Sequence, residues 1–355
     1  VFSLLDRYIA RQVIVSSLMM LFLLAMLRSL FSLLDELGDL DKGGYQVSDA
    51  FLYVSLMFPS RILEFFPMSV LIGALFGLGS LAANSELTVM RSAGITTWRI
   101  AGSTIKASIL LMIAVVFIGE AISPISSKAA QQLRTAAISG GELSVSKTGL
   151  WARHQNQIIQ LGNILSDGQL RDVTIYHLSD RNRLEKIIKA KSAQKQTENW
   201  LLHQVTEISF AEQAIQTHTT ASRIWLNPLD ESQIDTLTLE PDTLNLLGIL
   251  KYIDYLEQNS MQTEEYELAA WRKLMQPLAI AVMMFVAVSF IFGPMRDVSM
   301  GARVLAGVML GFVFHLASQS FGPVSLVFNI WPFIGATLPL VIFSLLGYWL
   351  MKRSG

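Results

Sequence analysis

The chain has 355 residues, 52% hydrophobic and only 15% charged, with a formal net charge of −1 at pH 7. That is too little charge to clothe a soluble globule of this length, and the balance gives no reason to expect a nucleic-acid partner. No cysteine is present, which excludes disulfides, thiolate metal sites and a cysteine nucleophile.

In chain order, the first apolar segment runs from about Val13 to Leu34, broken only by Arg28. It lacks a small-residue cleavage site before a polar start, so it reads as a retained span and not a signal peptide. A second runs from about Ile62 to Ala83, and a third from about Ala107 to Pro124 with Glu120 near its end. A polar block follows. A fourth span covers Leu274 to Phe292. The uncharged stretch Val304 to Met351 is too long for one crossing of a ~30 Å hydrocarbon core. Gly322, Pro323, Asn329 and Pro332 divide it into a fifth and a sixth span.

Short loops rich in Lys and Arg face the cytoplasm. Arg7 and Arg11, then Arg91, Arg99 and Lys106, then Arg296 and Arg303, and finally Lys352 and Arg353 fall on one side if both termini are cytoplasmic. The loop after the first span is mainly acidic (Asp35, Glu36, Asp39, Asp41), and parity places the central block outside. Gly73-x-x-x-Gly77 with Gly79, and Gly307-x-x-x-Gly311, allow close approach of helix backbones, either within the bundle or at a subunit interface.

The block from about Ser126 to Asn259 reads mainly as strands: Ile158–Ile164, Val173–His177, Ile187–Ala193, Trp200–Phe210 and Ala214–Leu226. Ser166-Asp167-Gly168, Ser179-Asp180 and Asn227-Pro228 separate them as turns. The pattern predicts an antiparallel sandwich or open jelly roll. Ile249, Tyr252, Ile253 and Leu256 have helical spacing, with Asp242 or Thr243 as the expected cap. The domain reading is 1–125 for three spans, 126–265 for the β insertion and 266–355 for three more spans.

There is no G-x-x-x-x-G-K-[ST] loop and no H-E-x-x-H, and the five histidines lack metal-ligand spacing. No cofactor or metal site is expected in this chain. The loop between the second and third spans is more informative. Ser85 is positioned to cap, and Gly94 to end, a short helix from Glu86 to Ala93. Leu87 and Met90 share one side of it, flanked by Glu86 and Arg91. Such a helix either offers a dock to a cytoplasmic motor or rests on headgroups.

Arg28 is the outstanding charge inside a span, where an arginine costs ~2.5 kcal/mol or more. Ser32 lies one turn further on the same face. Arg61, with Glu64 at i+3, begins the second span, and Arg134 follows the third. An arginine ring suits phosphate or carboxylate groups; snorkelling or an Arg61–Glu64 ion pair is the structural alternative. His315, Ser318 and Gln319 share a face of the fifth span, lining a wet cavity or bonding a neighbouring helix. From residues alone, a permease competes with a non-transporting membrane scaffold or envelope sensor. The loop helix separates them, since a scaffold needs no motor dock.

Several segments are similar to one known family. These are Leu5-Asp6-Arg7-Tyr8-Ile9, Phe65-Phe66-Pro67-Met68, Ser85-Glu86-Leu87-x-x-Met90 with Ala93-Gly94, Gly149-Leu150-Trp151-Ala152, Gln276-Pro277-Leu278 and Ser289-Phe290-Ile291-Phe292-Gly293-Pro294-Met295-Arg296. From end to end the chain resembles the LptF/LptG permeases of the bacterial lipopolysaccharide export ABC transporter. The first and last segments resemble the LptG branch. The resemblance implies six transmembrane helices in the inner membrane with a periplasmic β-jellyroll between the third and fourth. It implies as partners the paralogous permease LptF, an LptB ATPase homodimer that holds the ATP and Mg, the bitopic jellyroll protein LptC, and lipopolysaccharide. It makes the chain a transporter subunit without its own ATPase site. The first helix of one permease and the fifth of the other would gate a lipid cavity. The helix after Ser85 maps onto the family's coupling helix, with Glu86, Leu87, Met90 and Arg91 as coupling residues. Arg28, Ser32, Arg61, Phe65, Arg134, His315, Ser318 and Gln319 become substrate candidates. Relatives carry a Lys where this chain has Ser32, and more Lys near Gly38 and Asp39, so Arg28 stands as the substitute.

Overall fold

The computed structural model describes residues 4–354 apart from 41, 140–141, 145–149, 155, 166–168, 180–182, 197–198, 212–213, 227–240, 260 and 294–297. The turns expected at Ser166-Asp167-Gly168 and Asn227-Pro228, and Asp180, lie outside the described residues. Six helices are long and apolar enough to cross a membrane. They are α1 (Leu4–Leu37), α3 (Phe58–Ala83), α5 (Thr97–Phe117) with its continuation, α8 (Glu264–Phe292), α9 (Met300–Val327) and α10 (Pro332–Ser354). Two shorter helices, α2 (Val47–Leu56) and α4 (Glu86–Ser92), lie in the loops on either side of α3.

The chain divides into two compact units. The first holds residues 1–32, 57–126 and 264–355, and its described elements of regular structure are all helices. Its centre is α3, whose residues from Phe66 to Leu75 are buried without interruption. A helix that is apolar on every side belongs inside a bundle, and α3 packs against α8 and α9 while α8 packs against α5 and α10. The glycines serve these contacts within the chain. A Cβ on Gly73 would lie 2.3 Å from the Ser17 Cα, and one on Gly77 3.0 Å from the Gln12 carbonyl oxygen, so α1 rests on the α3 backbone. On the other side, Cβ atoms on Gly307 and Gly311 would each sit 2.7 Å from Leu75 and Met68 of α3.

The third span is longer than expected. Pro124 does not end it. A π-turn (Ile118–Ile122) carries α5 directly into α6 (Ser123–Ser139), with the Ser123 N–H bonded to the Ile118 carbonyl. The wide turn accommodates the proline in the first turn of the next segment.

The second unit holds residues 33–56 and 127–263. Its strands are β1 (Glu142–Ser144), β2 (Leu150–His154), β3 (Gln157–Leu165), β4 (Leu170–Leu178), β5 (Leu184–Lys195), β6 (Trp200–Ala211) and β7 (Ala214–Trp225). All pair antiparallel in one sheet that follows chain order from β3 to β7, with β1 and β2 both along the outer side of β3. The helix α7 (Leu246–Gln258) buries Ile249, Tyr252, Tyr255 and Leu256. Its cap is Asn245, whose side chain accepts the Gly248 N–H; Asp242 and Thr243 lie in a preceding 3-10 turn instead.

One transverse row creases the sheet. Gly162, Asp172, Lys191, Gln204 and Ala221 stand opposite one another, and at this row regular pairing is interrupted across β3 to β7. Asp172 and Gln204 take left-handed backbone angles (φ 52 and 51). On either side of the row the inward residues are three apart, not two: Leu170 and Val173, Ala190 and Ala193, Leu202 and Val205. Strands β4, β5 and β6 therefore change parity at this one level, which keeps the apolar residues nearest the row on the same face on both sides of it. At Gly162 a Cβ would meet the Asp172 Cβ at 2.8 Å, so the row closes only with glycine there.

Two α-helical glycines provide a matched test of the bundle. Gly73→Ala drives a methyl into α1 and is expected to cost about 1–3 kcal/mol through overpacking. Gly102→Ala in α5 enters open space and should be neutral or stabilising by up to ~1 kcal/mol. Thermal unfolding in detergent should separate the two in that order; equal midpoints would refute the close approach of α1.

Candidate functional site

Prolines interrupt several helices of the bundle, Pro277 in α8 and Pro339 in α10 among them, and three others share one source of donors. Pro67 lies inside α3, Pro124 in α6 and Pro323 inside α9. A proline has no N–H, so it frees a carbonyl one turn earlier. A bare carbonyl costs several kcal/mol in hydrocarbon. Donors from one short stretch of α8 meet all three. Gln276 donates to the Leu63 carbonyl (3.1 Å), four residues before Pro67. Lys273 donates to the Gly119 carbonyl (3.1 Å), five residues before Pro124 at π spacing, and to Glu120 Oε1 (3.3 Å). Arg272 Nη2 donates to the Gln319 carbonyl (3.4 Å), four residues before Pro323, and to that of Ser318 (3.3 Å). The sequence reading did not assign these three residues. The cluster Arg272-Lys273-x-x-Gln276 at the head of an apolar span was the available signal.

The substrate candidates of the first unit gather near this layer in two places. Ser32 Oγ accepts Arg61 Nη2 at 2.5 Å, with both side chains buried. Arg28 is half-buried one turn before Ser32, and among the described residues no hydrogen bond or ion pair joins it to this chain. Phe65 stacks on His315 (5.4 Å between centroids), and His315 Nε2 lies 3.8 Å from Glu64 Oε1. Ser318 and Gln319 follow on α9, where their carbonyls are the ones Arg272 holds.

Arg134 belongs to the second unit and has a different setting. Its Nε donates to Glu36 (2.9 Å) and its Nη2 to Asp39 (2.5 Å), and its guanidinium lies over the Tyr53 ring. Tyr45 donates its hydroxyl to Glu36 and is buried, which raises its pKa, with burial the larger cause. Asp39 also accepts from Lys42 at 2.5 Å. That hydrogen bond first, and the charges of Lys42 and Arg134 after it, hold the Asp39 carboxyl below its usual value. The acidic loop thus neutralises Arg134 within the chain. Gly43, at φ 65, lets the loop close on α6; a Cβ there would overlap the Ile138 carbonyl.

The loop helix α4 forms as expected at Glu86–Ser92 and ends in Gly94 at φ 86, with Ile95 N–H on the Met90 carbonyl. Ser85 differs from expectation. It is itself left-handed (φ 63) and its side chain makes no capping bond, because the tight turn out of α3 takes up its backbone. Leu87 also differs: it is 4% exposed and faces the bundle core, with Met90 packed against that core. The outward side is Thr88, Val89, Arg91 and Ser92. Glu86 Oε2 accepts the Tyr8 hydroxyl (2.7 Å), which ties α4 to the start of α1. Nearby, buried Asp6 accepts from Ser103 and from Lys106 (3.1 Å), joining α1 to α5. Among the described residues no cluster of His, Asp or Glu has the make-up of a metal centre.

The family described as "Lipopolysaccharide export system permease LptF/LptG" matches residues 7–353. The "Lipopolysaccharide export system permease protein LptG" of Escherichia coli (strain K12) is 38% identical over 356 residues, 99% of each chain. The protein of the same name from Haemophilus influenzae is 32% identical over 352 residues, covering 99% of this chain and 98% of that protein.

The Arg134 cluster makes its own pH prediction. A carboxyl whose pKa is lowered on folding stabilises above its unfolded value of about 3.9 and loses that contribution as pH falls through the folded value. Acid unfolding of the full chain should therefore steepen below about pH 4, and Asp39→Asn should lower stability at neutral pH while flattening that limb. An unchanged acid limb in Asp39→Asn would show that Asp39 contributes nothing.

Proposed function

The chain belongs to the LptF/LptG family of lipopolysaccharide export permeases, and from that premise we propose that it is the LptG-type subunit of the exporter. In this reading it sits in the bacterial inner membrane with both termini cytoplasmic and its β domain periplasmic. It pairs with LptF, engages an LptB ATPase homodimer through α4, and works with LptC. ATP and Mg act on the ATPase, and this chain performs no hydrolysis. Its task is to draw lipopolysaccharide laterally from the outer leaflet and pass it towards the outer membrane.

Arg28 is the observation that carries the substrate side of this reading. It lies inside a span, on the bundle side of α1, with no partner from this chain among the described residues. A cation there needs an anion, and a lipid phosphate supplies one from outside the chain. Arg61 and Ser32 supply further donors one turn away. His315 on Phe65 adds an aromatic surface that suits sugar or acyl contact. The outer face of α1, with Phe22, Leu23, Met26 and Leu27 exposed, is left for lipid or for the paralogous subunit.

On the cytoplasmic side, Val89, Arg91 and Thr88 face outward and support docking by apolar contact and charge-assisted bonds. Tyr8 carries the pull of Glu86 directly to α1, the helix that bears Arg28.

Two experiments test the reading. Arg28→Gln should weaken crosslinking of lipopolysaccharide and slow its export, with the complex as stable in detergent as the parent. If Arg28 instead answers a buried protein carboxylate, stranding that acid costs about 3–5 kcal/mol, and stability falls without lipid. Full export by Arg28→Gln removes the lipid role. Separately, Val89→Asp should reduce co-purification of the ATPase or its lipid-stimulated turnover, as should Glu86→Ala. Normal coupling in both would place the dock elsewhere.

A further inference from the structure

The proline layer is not uniform. The break in α3 lies in well-packed surroundings, since around Pro67 the helix is buried on all sides; at the α5–α6 break Gly119 is buried against Leu63, while Phe117 and Ile125 are exposed. α9 is the least covered of the six spans, with 22% of its apolar window buried. Leu305, Met309, Phe312, Val313 and Leu316 face away from the bundle. Past Pro323 the exposed residues Val324, Val327 and Phe328 form the last turn and its tip, which turns back at Asn329 with φ 51.

The cap on this break also differs in kind. Lys273 and Gln276 each meet one freed carbonyl at 3.1 Å. Arg272 meets two successive carbonyls, Ser318 and Gln319, at nearly equal and longer distances. Its guanidinium lies where Gly322 leaves room: a Cβ there would fall 2.5 Å from Arg272 Nη2. Glycine, proline and arginine are thus matched. Gly322 makes the seat, Pro323 frees the carbonyl and Arg272 supplies the donor. A fork with several N–H groups keeps one bond while exchanging another. The helix can bend here without leaving a bare carbonyl in hydrocarbon.

We propose that Gly322-Pro323 is a hinge in α9 and that Arg272 is its sliding cap, a positioning residue that lets the tip of α9 swing aside as lipid passes sideways through the permease. Arg272 touches no substrate in this account. It keeps the hinge satisfied in both positions. The proposal rests on the permease reading and adds to it the point of movement.

The test uses the assembled exporter in proteoliposomes, with ATP hydrolysis, lipopolysaccharide export and thermal stability measured on each variant. Pro323→Ala returns an N–H to the Gln319 carbonyl and stiffens α9. It should hold or raise the melting temperature, retain ATP hydrolysis and lower export per ATP several-fold. Arg272→Met should lower the melting temperature, and Gly322→Ala should do the same by evicting the guanidinium. The double variant Arg272→Met with Pro323→Ala should recover the lost melting temperature, because the carbonyl regains a donor from its own helix, and should still export poorly. Wild-type export per ATP by Pro323→Ala would overturn the hinge. Additive losses in the double variant would overturn the cap. A parent complex that moves no lipid with ATP would instead refute the permease reading and is distinguishable from both outcomes.

Discussion

Hydrogen bonds from one stretch of α8 to the proline-freed carbonyls of three other helices are the constraint on which the bundle depends. Each broken span needs a donor where no water can supply one. Arg272, Lys273 and Gln276 lie within five residues, so they fix the three breaks at a common level relative to α8. Apolar packing alone allows helices to slide along one another; these three bonds do not. The first turn of α8 carries Glu264, Glu265 and Glu267, which complement the helix dipole at its start.

The opposite end of the bundle is built on other principles. There α1 and α3 touch backbone to backbone through Gly73 and Gly77, and Gly79 makes room for the side chains of Met300 and Arg303. Buried Arg303 donates to the Gly79 carbonyl at 2.8 Å, a cation placed at the C-terminal end of α3. Asp6 ties α1 to α5, Tyr8 ties α1 to α4, and Gln12 donates to Ser80 at 2.9 Å. One half is stiff and closely packed, and the other is interrupted and held by exchangeable bonds. Under the proposed reading, a push delivered at the loop helix would cross the stiff half with little loss, and shape change would concentrate in the interrupted half.

Much of this was legible in the sequence. Uncharged length located the spans, and Gly94 ended α4 as its φ requires. The alternating β-branched runs located β3 to β7. Other features were hidden because they depend on contacts and not on local preference. Pro124 reads as a stop, and only a π-turn with a lysine from a distant helix lets the chain continue to Ser139. Leu87 reads as an outward anchor by its spacing with Met90, but the turn at Ser85 rotates it into the core. Arg134 reads as a phosphate-binding candidate after a span, and it is held within the chain by Glu36 and Asp39 of the acidic loop. Arg272 lies on no motif, because its partner is a backbone atom that exists only where Pro323 removes the competing donor.

The crease in the β sheet has a consequence for how these strands can change. Because β4, β5 and β6 each reverse parity at the same row, their lengths on either side of it are locked to one another. Deleting Asp172 would restore simple alternation to β4 while its neighbours kept their reversal. Half of β4 would then point its apolar residues at water. A single-residue indel is ordinarily absorbed at a strand's end; here it is absorbed only if adjoining strands shift in step. Drift in this sheet is therefore expected by substitution, with strand lengths held fixed.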